Sequence, residues 1–165
     1  MPVLLWDASA LAKRYAPERG SDVVDTLFER DPSPRMVATV IGYAECYSIL
    51  RRKFHRGGMD AAAFRVAKSA LRDETVVAPD FHLITVDDPA VFDGIRFMDT
   101  HNLNATDAAI LTVFLSYQAS LRSGERAVLV ASDHRLLKAA QDEGMETLDP
   151  EVSTVDHARQ ILTTL

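Results

Sequence analysis

Residues 127–133 read Ala127-Val128-Leu129-Val130-Ala131-Ser132-Asp133. Five small or apolar residues follow one another with no polar alternation, the pattern of a strand covered on both faces. Ser132-Asp133 then suits the start of a helix over 134–143, which Gly144 stops. The same arrangement opens the chain. Val3-Leu4-Leu5-Trp6 is a short apolar run closed by Asp7, with a helical stretch over 8–15 stopped by Pro17.

Working outward, 21–30 shows helical spacing through Val23, Val24, Leu27 and Phe28, and Asp31-Pro32-Ser33-Pro34 reads as a turn. A second strand is expected over 36–40 and a long helix over 41–56, closed by Gly57-Gly58. Asp60 suits the cap of a helix reaching about Glu74, and 81–86 reads as a third strand. Asp87-Asp88-Pro89 begins a short helix. Asn104 or Thr106 caps the next, which runs to about Leu121 and is apolar almost all round, hence interior. A last strand over 145–148 and a terminal helix over 155–162 complete the chain. Strands alternating with helices call for α/β architecture: a central parallel sheet flanked by helices on both faces. No repeat or linker interrupts the pattern, so residues 1–165 read as one domain.

Composition narrows the function. Of 165 residues, 47% are hydrophobic and 25% charged, which is globular and not disordered. The apolar runs are too short for a bilayer-spanning helix, and the first residues lack a basic leader. The one cysteine, Cys46, excludes an internal disulfide and a cysteine metal cluster, and a reducing cytoplasm is the default compartment. A net charge of −6 argues against charge-driven coating of nucleic acid, while leaving room for a local phosphate site and a basic protein partner.

Ligands of open parallel sheets bind beyond the carboxyl ends of the strands. Four acids fall there: Asp7 and Asp133 after apolar strands, Glu45 early in the helix after the second strand, and Asp107 in the first turn of the interior helix. Singly, each has an ordinary explanation as a helix cap, a dipole partner or a solvated residue. Together, crowded carboxylates raise one another's pKa, and a divalent cation with a preference for oxygen would relieve them.

These residues carry a family resemblance. The chain resembles the PIN-domain nucleases, and within them the VapC-type toxins of toxin–antitoxin pairs. The matching motifs are Leu5-Trp6-Asp7-Ala8-Ser9-Ala10, then Ala44-Glu45-Cys46 on a helix ending in Arg51-Arg52, then Thr106-Asp107-Ala108-Ala109, then Ala131-Ser132-Asp133-His134. In order, they span residues 7 to 133. Bulky Phe114, Leu115 and Tyr117 depart from the more alanine-rich helix of many relatives. The resemblance implies a single PIN-like domain and hydrolysis of RNA phosphodiester bonds with Mg²⁺ or Mn²⁺ held by Asp7, Glu45, Asp107 and Asp133. It also implies a small antitoxin as partner and a homodimer. A PIN nuclease of RNA maturation or decay is the alternative role.

Around these acids, Ser9 and Ser132 read as donors that orient carboxylates, or as helix caps. Arg52, two helical turns from Glu45, returns to nearly the same face and could grip phosphate. The cluster Arg51-Arg52-Lys53, His55 and Arg56, and the pair Lys13-Arg14, are either RNA contacts or solvated charge. Tyr47, Leu50 and Phe54 are either core or a surface for dimer or antitoxin. His82, His101 and His157 lack metal-ligand spacing and read as structural. Two other chemistries fit less well. An aspartyl-phosphate enzyme would show an acid two residues after Asp7, where Ser9 stands, and a receiver-like signalling domain would want a lysine late in the sheet. A binding module with a decayed site does not suit four intact acids.

Overall fold

The structure is a computed structural model describing residues 2–29 and 34–163. Five strands form one all-parallel sheet: β1 (Val3–Trp6), β2 (Arg35–Thr39), β3 (Phe81–Ile84), β4 (Ala127–Val130) and β5 (Glu146–Leu148). Their spatial order is β3-β2-β1-β4-β5. β1 pairs with β2 (Leu5 opposite Val37) and with β4 (Leu5 opposite Leu129). The chain winds outward from β1 to β3, then crosses back to β4. The order therefore reverses at the β1–β4 boundary, where ligand crevices of open sheets form.

The pleat divides the core in two. Leu4, Trp6, Met36, Ala38, Val128 and Val130 face one side, and Val3, Leu5, Val37, Ala127 and Leu129 the other. On the first side lie α1 (Ala8–Leu11), α2 (Ser21–Phe28), α3 (Val40–His55), α4 (Ala61–Arg72) and α8 (Val155–Thr163). On the second lie α5 (Asp88–His101), α6 (Ala105–Ala119) and α7 (His134–Asp142). Both faces are dry, which is why the strands read as unbroken apolar runs. Trp6 is 1% exposed, and burial of a side chain that size contributes about 3 kcal/mol.

The expected elements are present, with shifted edges. The second and third strands end earlier than expected, and the turn expected at 31–34 falls largely outside the described residues. The largest difference is α5, a helix of 14 residues rather than a short one. Its outer face exposes Val91, Phe92, Ile95 and Met98, so apolar residues on both faces blur the helical period. Gly94 lets α5 approach the first turn of α6. A Cβ there would stand 3.0 Å from the carbonyl oxygen of Ala108. α4 continues into a π-helical turn, Asp73–Val77, before β3. Among the described residues no helix is long and apolar enough to cross a membrane.

Candidate active site

Three of the acids are placed by element ends, and Glu45 by the second turn of α3. Asp7 leaves β1 and caps α1, and it is 6% exposed. Its Oδ2 accepts from the backbone N–H of Ser9 at 2.9 Å and from the Ser9 hydroxyl. Ser9 Oγ in turn accepts from the backbone N–H of Ser132 at 2.9 Å. The backbone N–H of Asp7 donates to Val130 at 3.0 Å. The ends of β1 and β4 are thus tied together at the point where the sheet order reverses.

Asp133 caps α7, and its Oδ1 accepts from the N–H groups of Arg135 (2.9 Å) and Leu136 (3.1 Å). Asp107 lies in the first turn of α6. Asn104 caps that helix through the Asp107 N–H at 2.9 Å and donates its own amide to Asp107 Oδ2 at 2.7 Å. Glu45 stands on α3, whose start is fixed by Thr39 Oγ1 accepting from Gly42 at 2.8 Å.

Asp7, Glu45, Asp107 and Asp133 line one pocket of about 310 Å³, with Ser9, Ser48, Arg52 and Asn104 on its walls. Arg52 therefore does return to the face of Glu45. Ser48 and Asn104 are additions. Ser48 was open to inference as the residue one turn after Glu45, and Asn104 had been read only as a cap. Ser132 is not on the pocket wall. Its backbone bonds Ser9, and its hydroxyl is buried with no partner among the described residues.

Burial pushes up the pKa of Asp7 against the hydrogen bonds from Ser9, and the charge of Asp133 adds to the rise. Burial likewise raises Glu45, helped by Asp7 and Asp107 and opposed by Arg52. Asp107 is pushed up to about 6 by burial and by the charges of Asp7 and Asp133, against Asn104 and Arg135. Among the described residues none of the four forms an ion pair.

Among the described residues no three His, Cys, Asp or Glu side chains stand close enough to form a preassembled metal site. The donors nonetheless fit a hydrated hard cation. All four are carboxylates, and Mg²⁺ takes one or two of these directly while keeping several waters. The orphaned Ser132 hydroxyl beside them is a buried group that a water could satisfy.

Other basic and apolar candidates go elsewhere. Lys13 is 2% exposed and pairs with Glu18 (2.9 Å) and Glu151 (2.6 Å). Arg14 pairs with Asp25, Glu29 and Glu74, and Lys53 with Glu18. These three cations are therefore held in ion pairs within the fold. Leu50 is fully buried, which overturns its reading as a partner contact. Tyr47 and Phe54 pack on Phe64 of α4, with the Phe54 and Phe64 rings stacked at 5.0 Å. Burial pushes the Cys46 thiol up to about 12, so it behaves as a small hydrophobe.

The model of the PIN domain matches residues 4–142. Among solved structures, PAE2754 from Pyrobaculum aerophilum is similar to this chain, with 18% identity and a TM-score of 0.65 over 99% of this chain and 97% of that one. A toxin–antitoxin complex from Klebsiella pneumoniae contributes a second similar chain, with 14% identity and a TM-score of 0.56 over 89% of this chain and 97% of that one. At these identities the likeness is one of fold. No curated protein matches the chain.

Proposed function

Because this chain belongs to the PIN domain family, a family of nucleases, we propose that it is a Mg²⁺- or Mn²⁺-dependent ribonuclease and the toxin of a toxin–antitoxin pair. The observation that carries the reading is the pocket at the sheet's switch point, lined by four carboxylates from three helix starts and α3, none of them in an ion pair among the described residues.

Asp7, Glu45, Asp107 and Asp133 would hold the cation, directly or through water. When bound, the ion lowers the pKa of a coordinated water and offsets the charge of the phosphate. The chain's own residues set the stage. Ser9 holds Asp7 in one orientation, and Asn104 does the same for Asp107. Arg52, on the pocket wall and without an ion pair among the described residues, grips a phosphate oxygen of the strand.

The likeness to a chain from a toxin–antitoxin complex supports a small antitoxin as partner. A basic side chain of such a partner would neutralise the acid pocket. The protein acts in the cytoplasm, as a homodimer of chains that are each one PIN-like domain over 1–165.

The test is cleavage of a mixed RNA pool by purified protein with Mg²⁺, with Mn²⁺ and with chelator, beside Asp7→Asn and Asp107→Asn. Metal-dependent cutting abolished by both substitutions supports the nuclease and its site. Cutting that survives both rejects the site. For the toxin role, growth arrest on expression, relieved by a small neighbouring gene, is expected. Unimpaired growth with an active nuclease would favour RNA maturation or decay.

A further inference from the structure

A second cavity, of about 350 Å³, opens between the end of α5 and one face of α7. Thr100, His101, Asn102, His134, Arg135 and Lys138 line it. Its volume is in the range of small-ligand sites. It adjoins the acid pocket through α7: Asp133 caps that helix on one side, and the next two residues, His134 and Arg135, line the other cavity.

The cations here differ in how they are held. Lys138 is tied to Asp142, also on the wall, at 2.9 Å. His101 is held by Glu143 at 2.9 Å and stands 3.8 Å from Asp142. Arg135 is exposed and has no ion pair among the described residues, although its charge is felt at Asp107. His134 Nε2 stands 3.7 Å from Asp149 Oδ2, and its side chain is 79% exposed, leaving the ring faces open to a stacking partner. Asn102 ends α5 in the left-handed region (φ 53°) and offers an amide with two donors and an acceptor.

We propose that this cavity is the subsite for the nucleotide next to the cleaved phosphodiester. Arg135 grips that nucleotide's phosphate, His134 stacks on its base, and Asn102 with Thr100 meets the base edge. The proposal rests on the nuclease reading above. If the reacting phosphate sits at the acids, its neighbours must cross the rim of that pocket. Among the described residues, Arg52 and Arg135 are the cations on the two cavities without an ion pair, and of these Arg135 lines the second cavity. An acidic peptide would meet the same guanidinium but gains nothing from continuing over four carboxylates.

The test measures binding of a short fluorescein-labelled mixed-sequence RNA by anisotropy, with Mg²⁺, in an Asp7→Asn background that blocks cutting. Adding Arg135→Ala should weaken binding about tenfold and reduce the salt slope by about 0.7, one single-strand phosphate's worth. Arg135→Lys should recover part of the affinity. In cleaving protein, Arg135→Ala should raise KM about tenfold with kcat within about twofold, and Asn102→Gly should broaden the sequence at cut sites. Unchanged affinity and slope overturn the proposal. So does a loss confined to kcat, which would mean that Arg135 acts on the acids and not on the strand. So would a polyglutamate peptide that binds through Arg135 where RNA does not. If wild type cuts no RNA but RNA binding still depends on Arg135, the nuclease reading falls and takes the place beside a cleaved bond with it, while the cavity stands as an RNA-binding site.

Discussion

Two groups of charged side chains lie at opposite ends of the short helical segment after β1. At its far end, Lys13 and Arg14 enter a compensated network. Lys13 bridges Glu18 and Glu151, Lys53 adds to Glu18, and Arg14 reaches Asp25, Glu29 and Glu74. Burial raises Glu18, yet hydrogen bonds from Lys53 and Lys13 outweigh it and leave its pKa low. At the near end, Asp7 joins Glu45, Asp107 and Asp133, and burial and mutual repulsion leave Asp7, Glu45 and Asp107 raised. The two sites stand on the same few residues of chain. The fold supplies cations where a carboxylate ties elements together and withholds them at the strand ends. Local stability is given up at the acid pocket, and the repulsion left there is what an added cation relieves.

The largest effect should come from breaking the uncompensated side. Asp107→Asn should lower metal-dependent RNA cleavage at least about a hundredfold, read as initial rates on one substrate. In chelator the same variant should be about 1 kcal/mol more stable to urea than wild type, a figure discounted for the partial exposure of Asp107. Loss of stability instead would mean that the acid is a structural cap and not a strained ligand.

Breaking the compensated side should do the reverse. Lys13→Ala should cost about 2 kcal/mol in urea unfolding, below the figure for a fully buried pair because Glu18 and Glu151 reach solvent. Cleavage per folded molecule should be unchanged. A cleavage defect with full stability would move Lys13 back to the RNA side.

pH separates the two regions with opposite signs. Asp107 has a folded pKa of about 6, above its ordinary value of 3.8, so its ionisation penalises the fold above pH 6. That penalty is relieved as pH falls from 7 towards 4. Glu18 is low in the fold, so its stabilisation is present above its ordinary value of 4.5 and is lost as pH falls through the folded pKa. Metal-free Tm should therefore rise by a few degrees from pH 7 to 5 and fall below about pH 4. Asp107→Asn should reduce the rise, leaving the part that the raised Asp7 and Glu45 contribute, and leave the fall.

The smallest effect belongs to Ser132→Ala. It removes a buried hydroxyl with no partner, so stability should change by less than about 0.5 kcal/mol. Ser9→Ala, which removes the hydroxyl that donates to Asp7 and accepts from the Ser132 N–H, should cost about 1 kcal/mol or more. Equal losses in thermal unfolding would show that Ser132 has a partner in the folded state.

Much of this was legible in the chain itself. Apolar runs closed by an acid located β1 and β4, and helix period carried Arg52 back to Glu45. Lys13 and Arg14 misled because a basic pair looks the same whether it meets RNA or distant acids. Glu151 lies 138 residues from Lys13, and no local pattern announces that pairing. The full length of α5 was hidden by its exposed apolar face. Ser9 was legible as a partner of Asp7, but its second bond, to the backbone of Ser132, crosses 123 residues.

By itself, then, the sequence determined the element types, the dry two-faced sheet and the three acids at helix starts with Glu45 early in α3, because periodicity and capping act over a few neighbouring residues. Only the tertiary structure decided the strand order that sets β1 beside β4, which cations are spent in ion pairs, and the second cavity at α7. Those depend on which distant segments pack together, and neighbours along the chain carry no record of that.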